Sequence, residues 1–168
     1  MEEYNFIDKN GECNTEWICS IGQFNHGYAR VMREDESYNY VSLKGEYLSN
    51  VWFCTATDFF DDGLAKVGRK NKHGSTEYNI ITTKGNFLSP NGWFYSIDGF
   101  QTDVAVVRNS DGYWNFLRKD GTLLSDEWFS DIEDDIYFYG DECGGYVEVT
   151  KMDGTKTFID LNTYKEKD

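Results

Sequence analysis

The chain has 168 residues, 39% of them hydrophobic, with 12 Phe, 12 Tyr and 5 Trp but one Pro, and a formal net charge of −14. This length holds one core, the wealth of rings favours strands over helices, and the negative charge repels a phosphate backbone, which argues against direct nucleic-acid binding. No apolar run approaches the ~20 residues of a membrane span, and the start MEEYNFID is acidic where an export signal is basic and then apolar, so a cytoplasmic protein is expected.

Taken in order, the chain repeats itself. Tyr4-Asn5-Phe6-Ile7 opens a predicted strand over 4–8, Gly11 marks a turn, Trp17-Ile18 follows, and Ala29 and Val31 lie in a closing strand over 28–33. The same order returns with Tyr38-Asn39-Tyr40-Val41 (38–42), Gly45, Trp52-Phe53, and Ala65 with Val67 (64–69). A third copy has Tyr78-Asn79-Ile80-Ile81 (78–82), Gly85, Trp93-Phe94, and Ala105 with Val107 (104–108). The fourth has Trp114-Asn115-Phe116-Leu117 (114–118), Gly121, Trp128-Phe129, and Val147 with Val149 (146–151). Lys156 to Leu161 then restates the opening strand of a fifth. A period of about 35–40 residues is the mark of a repeat architecture. The units run 4–37, 38–77, 78–112 and 113–156 with a partial unit over 157–168, all within a single domain, 1–168.

Each anchor has a physical reading. In YARV, LAKV, VAVV and YVEV the two small apolar residues stand two apart and share one strand face, while Arg30, Lys66, Val106 or Glu148 between them points the other way. The glycine pairs NG, KG and DG predict tight turns with positive φ at the glycine. Trp17, Trp52, Trp93 and Trp128 are predicted to be structural, largely buried plates between neighbouring units.

With these motifs in place, the chain resembles the WG-repeat (KWG-type) β-repeat proteins of bacteria and bacteriophages. The resemblance is carried by Phe6-Ile7-Asp8-Lys9-Asn10-Gly11, by Lys44-Gly45 and by Phe59 to Val67 (FFDDGLAKV), with Phe24 to Val31 as a second copy. The Trp-Gly pair that names the family is Tyr-Asn or Trp-Asn here, and Asp103 stands where Gly27 and Gly63 sit. The resemblance implies an all-β fold and a binding role. It brings no catalytic residues. The fold expected is about four and a half tandem β-hairpin repeats in an open twisted β-array, with a small closed propeller-like ring as the alternative.

Charge is concentrated at the two ends. The acidic face expected to bind a partner is Asp131, Glu133, Asp134, Asp135, Asp141 and Glu142, in the repeat that departs most from the others. These carboxylates lack the ladder of a calcium loop, so neither a metal nor another cofactor is expected. Arg69, Lys70 and Lys72, in an insertion that lengthens the second unit, form a candidate anion contact. Cys13, Cys19, Cys54 and Cys143 show no CxxC spacing and read as reduced thiols. No GxSxG, GxxxxGK[ST], HExxH or GxGxxG motif is present, so the reading is non-enzymatic. The function favoured is an acidic protein–protein interaction module for a basic protein. A sharper version is a phage-encoded inhibitor that presents carboxylates to a host defence or nucleic-acid-binding protein. The alternative is a small-ligand binder holding a carbohydrate or nucleotide between aromatic side chains.

Overall fold

In the computed structural model, which describes residues 4–5, 17–90, 92–100, 103–133 and 145–161, every regular element is a β-strand. The strands are β1 (Ser20–Ile21), β2 (Tyr28–Met32), β3 (Tyr38–Ser42), β4 (Thr55–Ala56), β5 (Leu64–Lys70) and β6 (Thr76–Thr82). They continue with β7 (Ser96–Ile97), β8 (Val104–Arg108), β9 (Trp114–Arg118), β10 (Asp131–Ile132), β11 (Tyr146–Thr150) and β12 (Lys156–Asp160). They form four antiparallel three-stranded sheets, β1-β2-β3, β4-β5-β6, β7-β8-β9 and β10-β11-β12, none of which closes on itself. The fold is therefore all-β and built of hairpin repeats. Contacts divide the chain into two compact units, Met1–Trp93 and Phe94–Asp168, each holding two of these sheets.

The sheets cut across the sequence repeats. The long hairpin in each sheet joins the closing strand of one repeat to the opening strand of the next, as in β2 with β3, where Met32 faces Tyr38 and Tyr28 faces Ser42. The half-repeat at Lys156–Asp160 is thereby accounted for: β12 pairs antiparallel with β11 and supplies the third strand of the fourth sheet. A short edge strand, two residues long and not foreseen from sequence, completes each sheet.

Alternation sorts the strand faces as expected. Ala29 and Val31, Ala65 and Val67, Ala105 and Val107, and Val147 and Val149 are all buried. Gly45, Gly85 and Gly121 take φ between 78° and 87°, the left-handed conformation that their turns require. The turns between the long-hairpin strands place Glu36, Gly74, Gly112 and Gly154 in the same left-handed position, and Glu36 is the non-glycine among them, at φ 60°.

After β3, β6 and β9 the chain turns back along the strand and then leaves the ladder, whereas most of the opening strand predicted over 4–8 lies outside the described residues. Leu48 N–H donates to Tyr40 O, and the backbones of Phe53 and Tyr38 exchange two hydrogen bonds, but residues 49–52 bulge between these points. Asn39 bridges the bulge, its Nδ2 donating to Ser49 O (2.8 Å) and Val51 O (3.3 Å) while its Oδ1 accepts from Tyr40 N–H (2.8 Å). Asn79 and Asn115 repeat this, on Ser89 and Gly92 and on Ser125 and Glu127. All three are fully buried. A buried polar side chain is tolerated because its donors and acceptor are matched.

Stacking of sheet on sheet is visible within the first unit. The connector after β4 crosses the outer face of the first sheet. The Phe59 ring lies 4.7 Å from Tyr40, Tyr40 Oη donates to Thr57 O (2.6 Å), and Arg30 Nη1 donates to Ala56 O (2.7 Å). Arg30 Nε also pairs with Asp58 at 3.1 Å. Burial holds the Tyr40 phenol well above its ordinary pKa, so it stays a donor. In the second unit the core gathers Val104, Phe116, Phe129, Ile132, Val147, Val149, Ile159 and Leu161.

Candidate interaction surfaces

The four tryptophans expected as buried plates are not the residues that fill the core. Trp17 is 56% exposed and Trp52, Trp93 and Trp128 are half-buried, whereas their neighbours Ile18, Phe53, Phe94 and Phe129 are buried. The reason lies in the ladder: Ile18, Phe53 and Phe129 are where the connector rejoins the backbone of Tyr4, Tyr38 and Trp114, which turns their side chains inward. The preceding indole is left at the rim. Two of these indoles are held there by cations, with the Arg33 guanidinium 3.6 Å from the Trp52 ring centre and the Arg69 guanidinium 4.2 Å from that of Trp93. Such contacts stabilise a half-exposed ring without removing it from water.

The basic tip divides in two. Arg69 and Lys70 end β5, and Lys72 stands in the turn beyond, all three exposed. Arg69 is already engaged by Trp93 and by Glu77, 3.4 Å away, and Lys70 Nζ donates to Thr76 Oγ1. Arg69 and Lys70 also line a cleft of about 550 Å³ together with Asp35, Glu36, Trp52 and Cys54. Its lining combines charges of both signs with the aromatic residues Trp52 and Phe53. Cys19 and Cys54 are free, half-buried thiols, and Cys13 and Cys143 lie outside the described residues.

Of the acidic residues, Asp131 and Glu133 are described and exposed, flanking the inward-facing Ile132 on β10. Asp134, Asp135, Asp141 and Glu142 lie outside the described residues. Glu133 N–H donates to Glu148 O, and Asp131 faces Thr150, so both carboxylates share the outer face of the fourth sheet with Glu148. On that face Lys156 makes an ion pair with Glu148. The hydrogen bond and charge of Glu148, with lesser help from Glu133 and Asp131, raise the Lys156 pKa. Tyr146 and Phe158 stand exposed beside them. Sequence reading placed Glu148 toward solvent from its position between two valines. It did not single out Phe158, although aligning Lys156 to Leu161 with the earlier opening strands sets Phe158 at the position of Tyr40. Among the described residues no three His, Cys, Asp or Glu side chains gather as a metal ion requires, and no helix is long and apolar enough to cross a membrane.

No protein-family model matches the chain, and no curated protein matches it in sequence. Among solved structures it is similar to the WD40 β-propeller domain of Doa1, at 11% identity and a TM-score of 0.34 over 90% of this chain. The chain spans about half the length of that structure, 52% of it.

Proposed function

We propose that this chain is a non-enzymatic interaction module of the WG-repeat type that binds a basic protein partner. The observation that carries this reading is the display of large rings on an acidic surface. Trp17, Phe24, Phe60, Tyr95, Tyr146 and Phe158 are exposed on a chain with a net charge of −14. Rigid aromatic side chains provide contact area at small entropic cost, and a surrounding negative field selects and steers a positive partner. The Lys-Gly turns at Lys44-Gly45 and Lys84-Gly85 and the Gly63-to-Val67 strand entry support the family reading. The test is affinity capture on the immobilised chain over a salt series, beside thermal-shift screening with nucleotides and oligosaccharides. Capture of basic proteins that elute as salt rises is the expected result. A second reading, a small-ligand site, is favoured by the cleft over Trp52 with Arg69 and Lys70 at its wall. A thermal shift with nucleotide or oligosaccharide and no salt-sensitive protein capture would replace the first reading with the second.

A further inference from the structure

The hairpin registers bring one cross-strand pair to the same place in every sheet: Arg30 opposite Tyr40, Lys66 opposite Ile80, Val106 opposite Phe116, and Glu148 opposite Phe158. In the first three sheets the second member of the pair is covered, with Tyr40, Ile80 and Phe116 exposed by 0%, 3% and 0%. Phe158 is 47% exposed, and Tyr146 beside it 42%. A position the repeat elsewhere buries is here open to solvent.

The first sheet shows what a cover needs. Its connector presents two carbonyls and the Asp58 carboxylate, and the sheet meets them with the Tyr40 hydroxyl and the Arg30 guanidinium while Phe59 lies on the Tyr40 ring. In the fourth sheet these donors are replaced. Phe158 has no hydroxyl, Glu148 is an acceptor, and Asp131 and Glu133 add two exposed carboxylates on the same face. Lys156 is the balancing cation among the described residues of that face, and it is paired with Glu148. The polarity of the junction is thus inverted. A connector like residues 56–59 would bring carbonyls and a carboxylate to a surface of acceptors, whereas an apolar side chain flanked by cations would meet both the ring and the carboxylates.

We propose that the Glu148–Phe158 face of the fourth sheet is the docking surface for a basic segment of a partner protein. The segment lays an aromatic or aliphatic side chain on Phe158 and Lys or Arg side chains on Asp131 and Glu133. The proposal rests on the interaction-module reading above and specifies its face and its partner.

The test uses the full chain and two fluorescein-labelled peptides of about ten residues, one alternating Lys with Phe and the other Glu with Phe, since alternation puts rings on one side of an extended segment. Anisotropy should show binding of the Lys/Phe peptide and not of the Glu/Phe peptide. Phe158→Ser and the double variant Asp131→Lys with Glu133→Lys should each weaken it by about tenfold or more. Phe24→Ser, an exposed ring elsewhere, should leave it unchanged. Because Phe158 is already open to solvent, the Phe158→Ser chain should melt as the parent does, which separates lost binding from lost folding. Lys/Phe binding indifferent to Phe158→Ser but lost in Phe24→Ser would overturn this face while leaving the interaction-module reading standing. Absence of binding by both peptides together with no salt-sensitive protein capture would overturn both. A concentration-dependent dimer in light scattering, abolished by Phe158→Ser, would assign the face to a second copy and overturn the basic partner.

Discussion

Asn79 offers the sharpest test of how the connectors are held. Its Nδ2 donates to Ser89 O at 2.8 Å and Gly92 O at 2.7 Å, its Oδ1 accepts from Ile80 N–H at 2.8 Å, and the residue is fully buried. Asn79→Ala removes these bonds and strands their partners. At about 1 kcal/mol net for each bond made, and 1–3 kcal/mol for a desolvated group left alone, the loss should be about 3–5 kcal/mol. Urea unfolding followed by fluorescence and extrapolated linearly measures it. Asn79→Asp provides a second, qualitatively different reading. A carboxylate there would face two carbonyl oxygens, so the folded state should favour its protonated form and raise its pKa above the unfolded value. The stability of that variant relative to the parent should therefore be highest in acid and fall as pH rises through the raised pKa. An alanine variant within about 1 kcal/mol of the parent would refute the clamp. So would an aspartate variant whose deficit relative to the parent ignores pH.

Phe53→Ala should cost about 3–5 kcal/mol because that ring is buried, while Trp52→Ala, whose ring is half-exposed beneath Arg33, should cost less than half as much by the same urea melts. Glu36→Gly should stabilise the first long hairpin by on the order of 1 kcal/mol, since Glu36 holds the left-handed conformation that glycine occupies in the other three; a lower melting temperature would contradict this. Asp35, Asp120 and Asp153 accept hydrogen bonds from Ser37, Thr122 and Thr155 two residues on, and these bonds lower their pKa values. Their contribution to stability is present above the unfolded aspartate pKa and is lost as pH falls through the lowered values, so carboxyl NMR titration should place all three midpoints below that of an ordinary aspartate.

The repeat was legible because alternation and turn glycines are local: Ala65 with Val67 must share a face, and Gly45 must make the turn whatever lies beyond. The pairing of strands was less so. Each long hairpin joins two repeats, and the apparent surplus strand at Lys156–Asp160 is an ordinary third strand of the fourth sheet. The choice between Trp52 and Phe53 as core residue depends on where the connector rejoins the ladder, and a bulge between Leu48 and Phe53 breaks the parity that alternation counts. The asparagines were in plain view at Asn39, Asn79 and Asn115. Their role was hidden because a buried amide is recognised by its partners, and those lie 10 to 13 residues away. The acidic face was visible as composition, but its alignment with Phe158 needed the register of β10 and β12 against β11.

The asparagine clamp also explains how the copies drift apart without losing their places. The second carbonyl that it grips lies 12 residues on from Asn39 and Asn115 but 13 on from Asn79, where the connector has gained a residue around Pro90. A backbone ladder transmits an insertion as a slip that turns every following side chain to the wrong face. A side-chain amide reaching to whichever carbonyl is nearest confines that insertion to the bulge. Evolution can therefore lengthen, recharge or reshape each connector on its own while the strands that carry it stay in step.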